Sequence, residues 1–139
     1  MNSNPAISIL MPVKNTAPFL FECLESIIKQ TETDFELIAI DDHSTDESHS
    51  ILNEYSIKDK RVKVFKNTGT GIIEALRLAY SKSSGNYISR MDADDVMSLG
   101  KLAVLKSNLT AFGSGHIALG KVKYFSATPL GSGFKNYEL

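Results

Sequence analysis

Phe35-Glu36-Leu37-Ile38-Ala39-Ile40-Asp41-Asp42 decides the fold of this chain, because an apolar, strand-like run ends there on two adjacent carboxylates. Upstream, Ile7 to Val13 is a first strand, so continuously apolar that it suits a strand covered on both faces. A helix is predicted between them from about Pro18 to Gln30, with Phe19, Leu20, Cys23, Leu24, Ile27 and Ile28 along one stripe. Pro18 fits its first turn, where no backbone donor is lost. Downstream, Ser44 with Glu47 three positions on predicts a capping box and a helix running to about Tyr55. Val62 to Phe65 is a short third strand. The turn Asn67-Thr68-Gly69-Thr70-Gly71 then opens a helix carrying Ile72, Ile73, Leu76, Ala79 and Tyr80. Tyr87 to Met91 is the fourth strand, buried by expectation, and Ser98 to about Leu109 a further helix that Gly100 weakens. After Phe112 the pattern decays: Ile117 to Phe125 is a candidate strand, and Thr128 to Leu139 has little periodicity.

Strand–helix alternation of this kind implies an α/β protein with a mainly parallel sheet and helices on both faces. Right-handed crossovers would point every strand's carboxyl end toward one edge, outside which ligands bind. Asp41-Asp42 therefore shares a rim with a second acidic stretch, Arg90-Met91-Asp92-Ala93-Asp94-Asp95. Three carboxylates in four positions repel one another unless a cation or water satisfies them. In extended backbone Asp92 and Asp94 point to the same side, with little bulk at Ala93 between them. Hard oxygen donors at that spacing suit Mg²⁺ or Mn²⁺, which commonly take one or two carboxylates plus substrate phosphates. The structural alternative is an acidic turn capping the next helix.

The chain's 139 residues suffice for one domain, expected to span 1–139, with 7–109 its best-defined part. A hydrophobic content of 42% and a charged content of 22% are ordinary for a soluble globular protein. The net charge of −1 argues against nucleic acid as a partner. Cys23, the single cysteine, excludes an internal disulfide and is expected to serve core packing in a reducing compartment. No stretch reads as a signal peptide or a transmembrane segment, so a cytoplasmic location is expected, with peripheral membrane contact left open.

Other chemistries fail on spacing. The turn after the first strand, Met11-Pro12-Val13-Lys14-Asn15-Thr16, lacks the glycines of a dinucleotide fold, and Glu74 interrupts a motif begun by Gly69 and Gly71. No phosphate-cradling G-x-x-x-x-G-K or nucleophile elbow G-x-S-x-G occurs. Asp41 to Asp46 superficially matches a calcium loop but lacks its glycine and terminal Glu. His43 and His49 are spaced too loosely for a zinc pair and are expected to be solvated or satisfied locally. A phospho-accepting receiver domain wants its acid pair after the first strand, and here the pair follows the second.

The arrangement resembles the inverting glycosyltransferases of family 2. The residues that carry the likeness are Ile7-Ser8-Ile9-Leu10-Met11-Pro12-Val13-Lys14-Asn15, Leu24-Glu25-Ser26-Ile27, Gln30-Thr31, Phe35 to Asp46, Asn67, Gly69, Ala75-Leu76 and Gly85 to Asp95. The resemblance implies a GT-A fold and transfer of a sugar from a nucleotide-diphosphate donor, a UDP-sugar first, to a saccharide or lipid-linked acceptor. It implies that Pro12, Val13 and Lys14 hold the nucleotide with Asp42, which accepts a hydrogen bond from the uracil ring. Asp92 would sit near the ribose and Asp94 would bind the divalent cation, Mg²⁺ or Mn²⁺. Asp41 is expected to orient backbone groups at the next helix start, Asp95 to cap the following helix, and Lys101 to stand in for a basic residue. Lys14 replaces an aromatic residue common in the family, offering charge in place of a stacking surface. Relatives of this kind are about twice as long and supply a general base from their second half, so truncation at the C-terminus is expected and no residue is assigned as the base. The rival expectation is a truncated nucleotide-sugar-binding module that transfers nothing.

Overall fold

In the computed structural model of the protein, which describes residues 3–123, strands β1 (Ile7–Val13), β2 (Phe35–Asp41), β3 (Val62–Lys66) and β4 (Tyr87–Arg90) form one parallel sheet. Their order is β3-β2-β1-β4. β1 pairs with β2 from Ile7↔Phe35 to Val13↔Asp41, and with β4 from Ile7↔Tyr87 to Leu10↔Arg90. The helices are α1 (Ala17–Ile28), α2 (Ser48–Lys58), α3 (Ile72–Lys82) and α4 (Lys101–Phe112). The chain packs as two compact units that part between Leu102 and Ala103; the first carries all four strands and α1 to α3.

Side-chain alternation sorts the strands into two cores. Ile9, Met11, Val13, Leu37 and Ala39 face Leu20, Cys23, Leu24 and Ile27 of α1 and Leu52 and Tyr55 of α2. Leu10, Ile38 and Ile40 face Ala75, Ala79 and the partly buried Leu76 of α3. Helices thus cover both faces of a parallel sheet, as the strand–helix alternation predicts. The chain steps outward from β1 to β2 and β3, then returns past β1 to β4. That reversal puts a topological switch point between β1 and β4, where α/β sheets open a crevice.

Several local expectations are corrected. α2 starts at Ser48, with no capping box from Ser44: the Ser44 hydroxyl accepts the Asn15 amide at 3.0 Å, and Asp46 takes the Ser48 amide at 2.9 Å. α3 buries Ala75 and Ala79, while Ile72, Ile73 and Tyr80 lie exposed. Two small residues let that helix sit close on β1 and β2, which turns its bulky neighbours outward. Among the described residues β4 is an edge strand with Ile88 exposed, because β1 alone pairs with it there and α3 packs over β1 and β2. Phe19 of the predicted α1 stripe is also exposed. α4 begins directly after Gly100. Residues 117–123 form no strand; the rest of that candidate strand and the segment from Thr128 lie outside the described residues.

Candidate functional site

The carboxyl rim of the sheet holds a cavity of about 350 Å³. It is lined by Pro12, Val13, Lys14 and Thr16 from the β1–α1 turn, Asp42 after β2, Gly71 and Ile72 at the start of α3, and Asp92, Ala93 and Asp94 after β4. All six residues singled out in the sequence for the nucleotide or the metal therefore face one space. Parallel pairing explains why. The Asp42 amide extends the ladder to the Val13 carbonyl at 2.7 Å, and the Met91 amide extends it to Leu10 at 3.0 Å. Each acidic stretch thus leaves the sheet at its end beside β1.

Asp42 is buried, and its Oδ1 accepts Asn67 Nδ2 at 2.9 Å. The Gly71 amide donates to both of its oxygens at 3.1 Å. Burial pushes against the charge, but the Asn67 and Gly71 donors, with the nearby Lys14 and His43, hold the carboxyl below its ordinary range. Gly71 has φ +94°, a conformation that only glycine adopts without strain, and it brings the first turn of α3 onto the rim. Four lone-pair positions on a carboxylate leave Asp42 capacity for a further donor.

The acidic stretch after β4 divides its labour. Asp92 Oδ1 accepts Arg90 Nε and Nη2, each at 3.1 Å, and is half exposed. Asp94 makes no hydrogen bond or ion pair among the described residues and lines the cavity. Asp95 is held above its ordinary range, first by lost hydration and then by Asp94 and Asp92, with Lys101 opposing. It caps no helix, since α4 begins only at Lys101. Among the described residues no trio of His, Cys, Asp or Glu is grouped to enclose a metal ion. The donor set still fits a hard cation of the Mg²⁺ class, which needs one or two carboxylates and takes its other oxygens from phosphate and water.

Asp41 meets a backbone group of the loop ahead of α2 and not of the helix start expected of it. Asp41 Oδ1 accepts the Ser44 amide at 3.3 Å, and its Oδ2 lies 3.3 Å from His49 Nδ1, so it steadies the approach to α2. His43 Nε2 meets the Gly69 carbonyl at 2.8 Å. Cys23 is fully buried, 3.7 Å from Met11 Sδ, in the packing role expected of it. Thr16, Gly71 and Ile72 line the cavity without having been singled out. The signal for Gly71 was present, since a glycine-bearing turn at a strand's carboxyl end must reach this rim.

Comparison with known proteins bears on the family and the fold. A family model described as glycosyl transferase family 2 matches residues 8–133. Glycosyltransferase GlyG of Streptococcus pneumoniae is 40% identical over 93 residues, covering 66% of this chain and 31% of the relative. A poly(ribitol-phosphate) beta-glucosyltransferase of Bacillus spizizenii is 37% identical over 126 residues, covering 84% of this chain and 19% of the relative. Among solved structures, S. aureus TarS 1-349 in complex with UDP-GlcNAc superposes with a TM-score of 0.69 at 26% identity, over 76% of this chain and 31% of that one. A mannosyltransferase of Pyrobaculum calidifontis in complex with GDP-Man and Mn²⁺ shares the fold, with a TM-score of 0.61 at 24% identity, over 68% of this chain and 29% of that one. The chain spans less than a third of the length of each of these four proteins.

Proposed function

The chain belongs to glycosyl transferase family 2, and on that premise we propose that its rim cavity binds the nucleotide diphosphate of a sugar donor, a UDP-sugar first, for transfer to an acceptor hydroxyl. The observation that carries the proposal is the gathering of Pro12, Val13, Lys14, Asp42, Asp92 and Asp94 around one cavity at the switch point. Residues 7–109 are the segment we assign to this task.

Each residue has a defined part. Pro12 and Val13 give the base an apolar floor. Asp42, held ionised by its own donors, accepts an N–H from the base edge. Asp92, already steadied by Arg90, keeps a second oxygen for a ribose hydroxyl. Lys14, which lines the same cavity, offers a positive charge to the phosphates. Asp94 would hold Mg²⁺ or Mn²⁺ on the diphosphate. When bound, such a cation neutralises charge that builds on a departing diphosphate. No described helix is long and apolar enough to cross a membrane.

All these residues act on the donor. That one-sidedness favours a second reading, in which the chain binds donor without moving sugar. Calorimetry with UDP, with and without Mn²⁺, tests the first: Mn²⁺ tightens UDP binding by wild type and not by Asp94→Ala. Equal, weak binding by both proteins, unmoved by Mn²⁺, overturns it. A transfer assay on the same chain separates the two, since turnover eliminates the second reading.

A further inference from the structure

Asn15 is in the left-handed region at φ +50°, directly after Lys14 and before α1. Asparagine tolerates that conformation better than most residues. Its side-chain oxygen is turned to the neighbouring loop. Oδ1 accepts the Thr45 amide at 2.8 Å, the Asp46 amide at 3.3 Å and the Thr45 hydroxyl at 3.4 Å. Its own amide donates to Ser44 Oγ at 3.0 Å. The next two amides follow the same pattern, Thr16 to Ser48 Oγ at 2.9 Å and Ala17 to Asp46 Oδ2 at 3.1 Å. Six bonds therefore run from residues 15–17 to residues 44–48. One of the joined loops carries Lys14 and the other Asp42, and both residues line the cavity.

We infer that Asn15 is a positioning residue for the donor, an inter-loop clamp that fixes the spacing between Lys14 and Asp42 and so the width of the nucleotide end of the cavity. This rests on the donor-binding proposal. The clamp touches no substrate itself; it acts through the two loops it joins. Asp94 arrives on a third segment, after β4, that none of these bonds reaches, so the metal end is independent of it.

The test is UDP affinity by calorimetry on the whole chain, with the folded fraction checked by circular dichroism. Asn15→Gly keeps the backbone conformation and removes the acceptor; it weakens UDP binding about tenfold, as a misplacement of binding groups by a fraction of an ångström does. The ratio of affinities with and without Mn²⁺ stays at the wild-type value, which a general loosening of the site would not preserve. Asn15→Asp keeps both acceptor and conformation and restores affinity to within about threefold of wild type. Ser44→Ala, a milder cut at the same clamp, weakens binding about threefold and decides the matter if Asn15→Gly does not fold. Wild-type affinity in folded Asn15→Gly and in Ser44→Ala overturns the clamp and leaves the donor proposal standing. So does weak binding that Asn15→Asp fails to restore. A wild-type chain that binds no UDP overturns both.

Discussion

Ser8 donates its hydroxyl to Glu36 Oε1 at 2.6 Å, joining β1 to β2 near their amino ends, away from the rim cavity. Glu36 is 3% exposed and gathers three further donors: Lys63 Nζ at 2.6 Å, the Ser84 amide at 2.7 Å and the Ser84 hydroxyl at 3.1 Å. Burial alone would push its carboxyl up; Lys63, Ser8 and Ser84 outweigh it and hold the group at about 2.

A depressed carboxylate stabilises the fold above its unfolded value of 4.5, and that contribution drains away as pH falls toward about 2. Linkage puts the amount at about 3 kcal/mol as an upper value. Urea unfolding from pH 6 to pH 2 should show stability falling across that window in wild type. Glu36→Gln should start lower and fall less steeply. Parallel acid limbs in the two proteins would falsify the assignment.

Gly85 lies against the same network. A β-carbon there would come within 2.5 Å of the Ser8 amide nitrogen and 2.8 Å of the Ile7 carbonyl carbon, both backbone atoms of β1. Gly85→Ala must push β4 away from its partner strand, at a cost of about 1–3 kcal/mol. Thermal unfolding reads this directly, and a melting temperature equal to wild type would refute the close approach.

Cys23 should be chemically silent. Burial first, then the charges of Asp95, Asp94 and Asp92, push its thiol up to about 12. Iodoacetamide at pH 8 is expected to leave the native protein unlabelled and to label it fully in denaturing urea. Labelling of native protein at the rate of a free thiol would contradict the packing role.

Lys14 should distinguish phosphate from base. If its ammonium serves the diphosphate, Lys14→Ala weakens UDP by about fivefold to tenfold, the worth of one charge-assisted contact, and leaves uridine unchanged. An equal loss for both ligands would place Lys14 at the base.

The sheet was legible because its signal is redundant. β1 and β2 are apolar on both faces, and alternation with helical stripes leaves few arrangements for such strands. The rim cavity followed from topology: parallel strands bring Asp42, Asp92 and Asp94 to one edge whatever the loops do. What failed was local. Ser44 and Glu47 carry the spacing of a capping box, yet the Ser44 hydroxyl is taken by Asn15, a partner 29 positions away in the chain. The exposed isoleucines of α3 resemble a buried stripe because no window of sequence shows that Ala75 and Ala79 meet the sheet. Asn15 escaped notice as a clamp for the same reason: its partners are remote.

The position of β1 between early and late partners has a further consequence. Ile7 meets Phe35 on one side and Tyr87, much farther along the chain, on the other. The nearer pairing closes the smaller loop at lower entropic cost, and β4 adds only four residues held along one edge. The wall of the crevice that carries Asp42 is thus tied down by short-range topology, and the wall that carries Asp92 and Asp94 hangs on the weakest seam of the sheet. Amide exchange should register this as a gradient, with β4 opening well before β2.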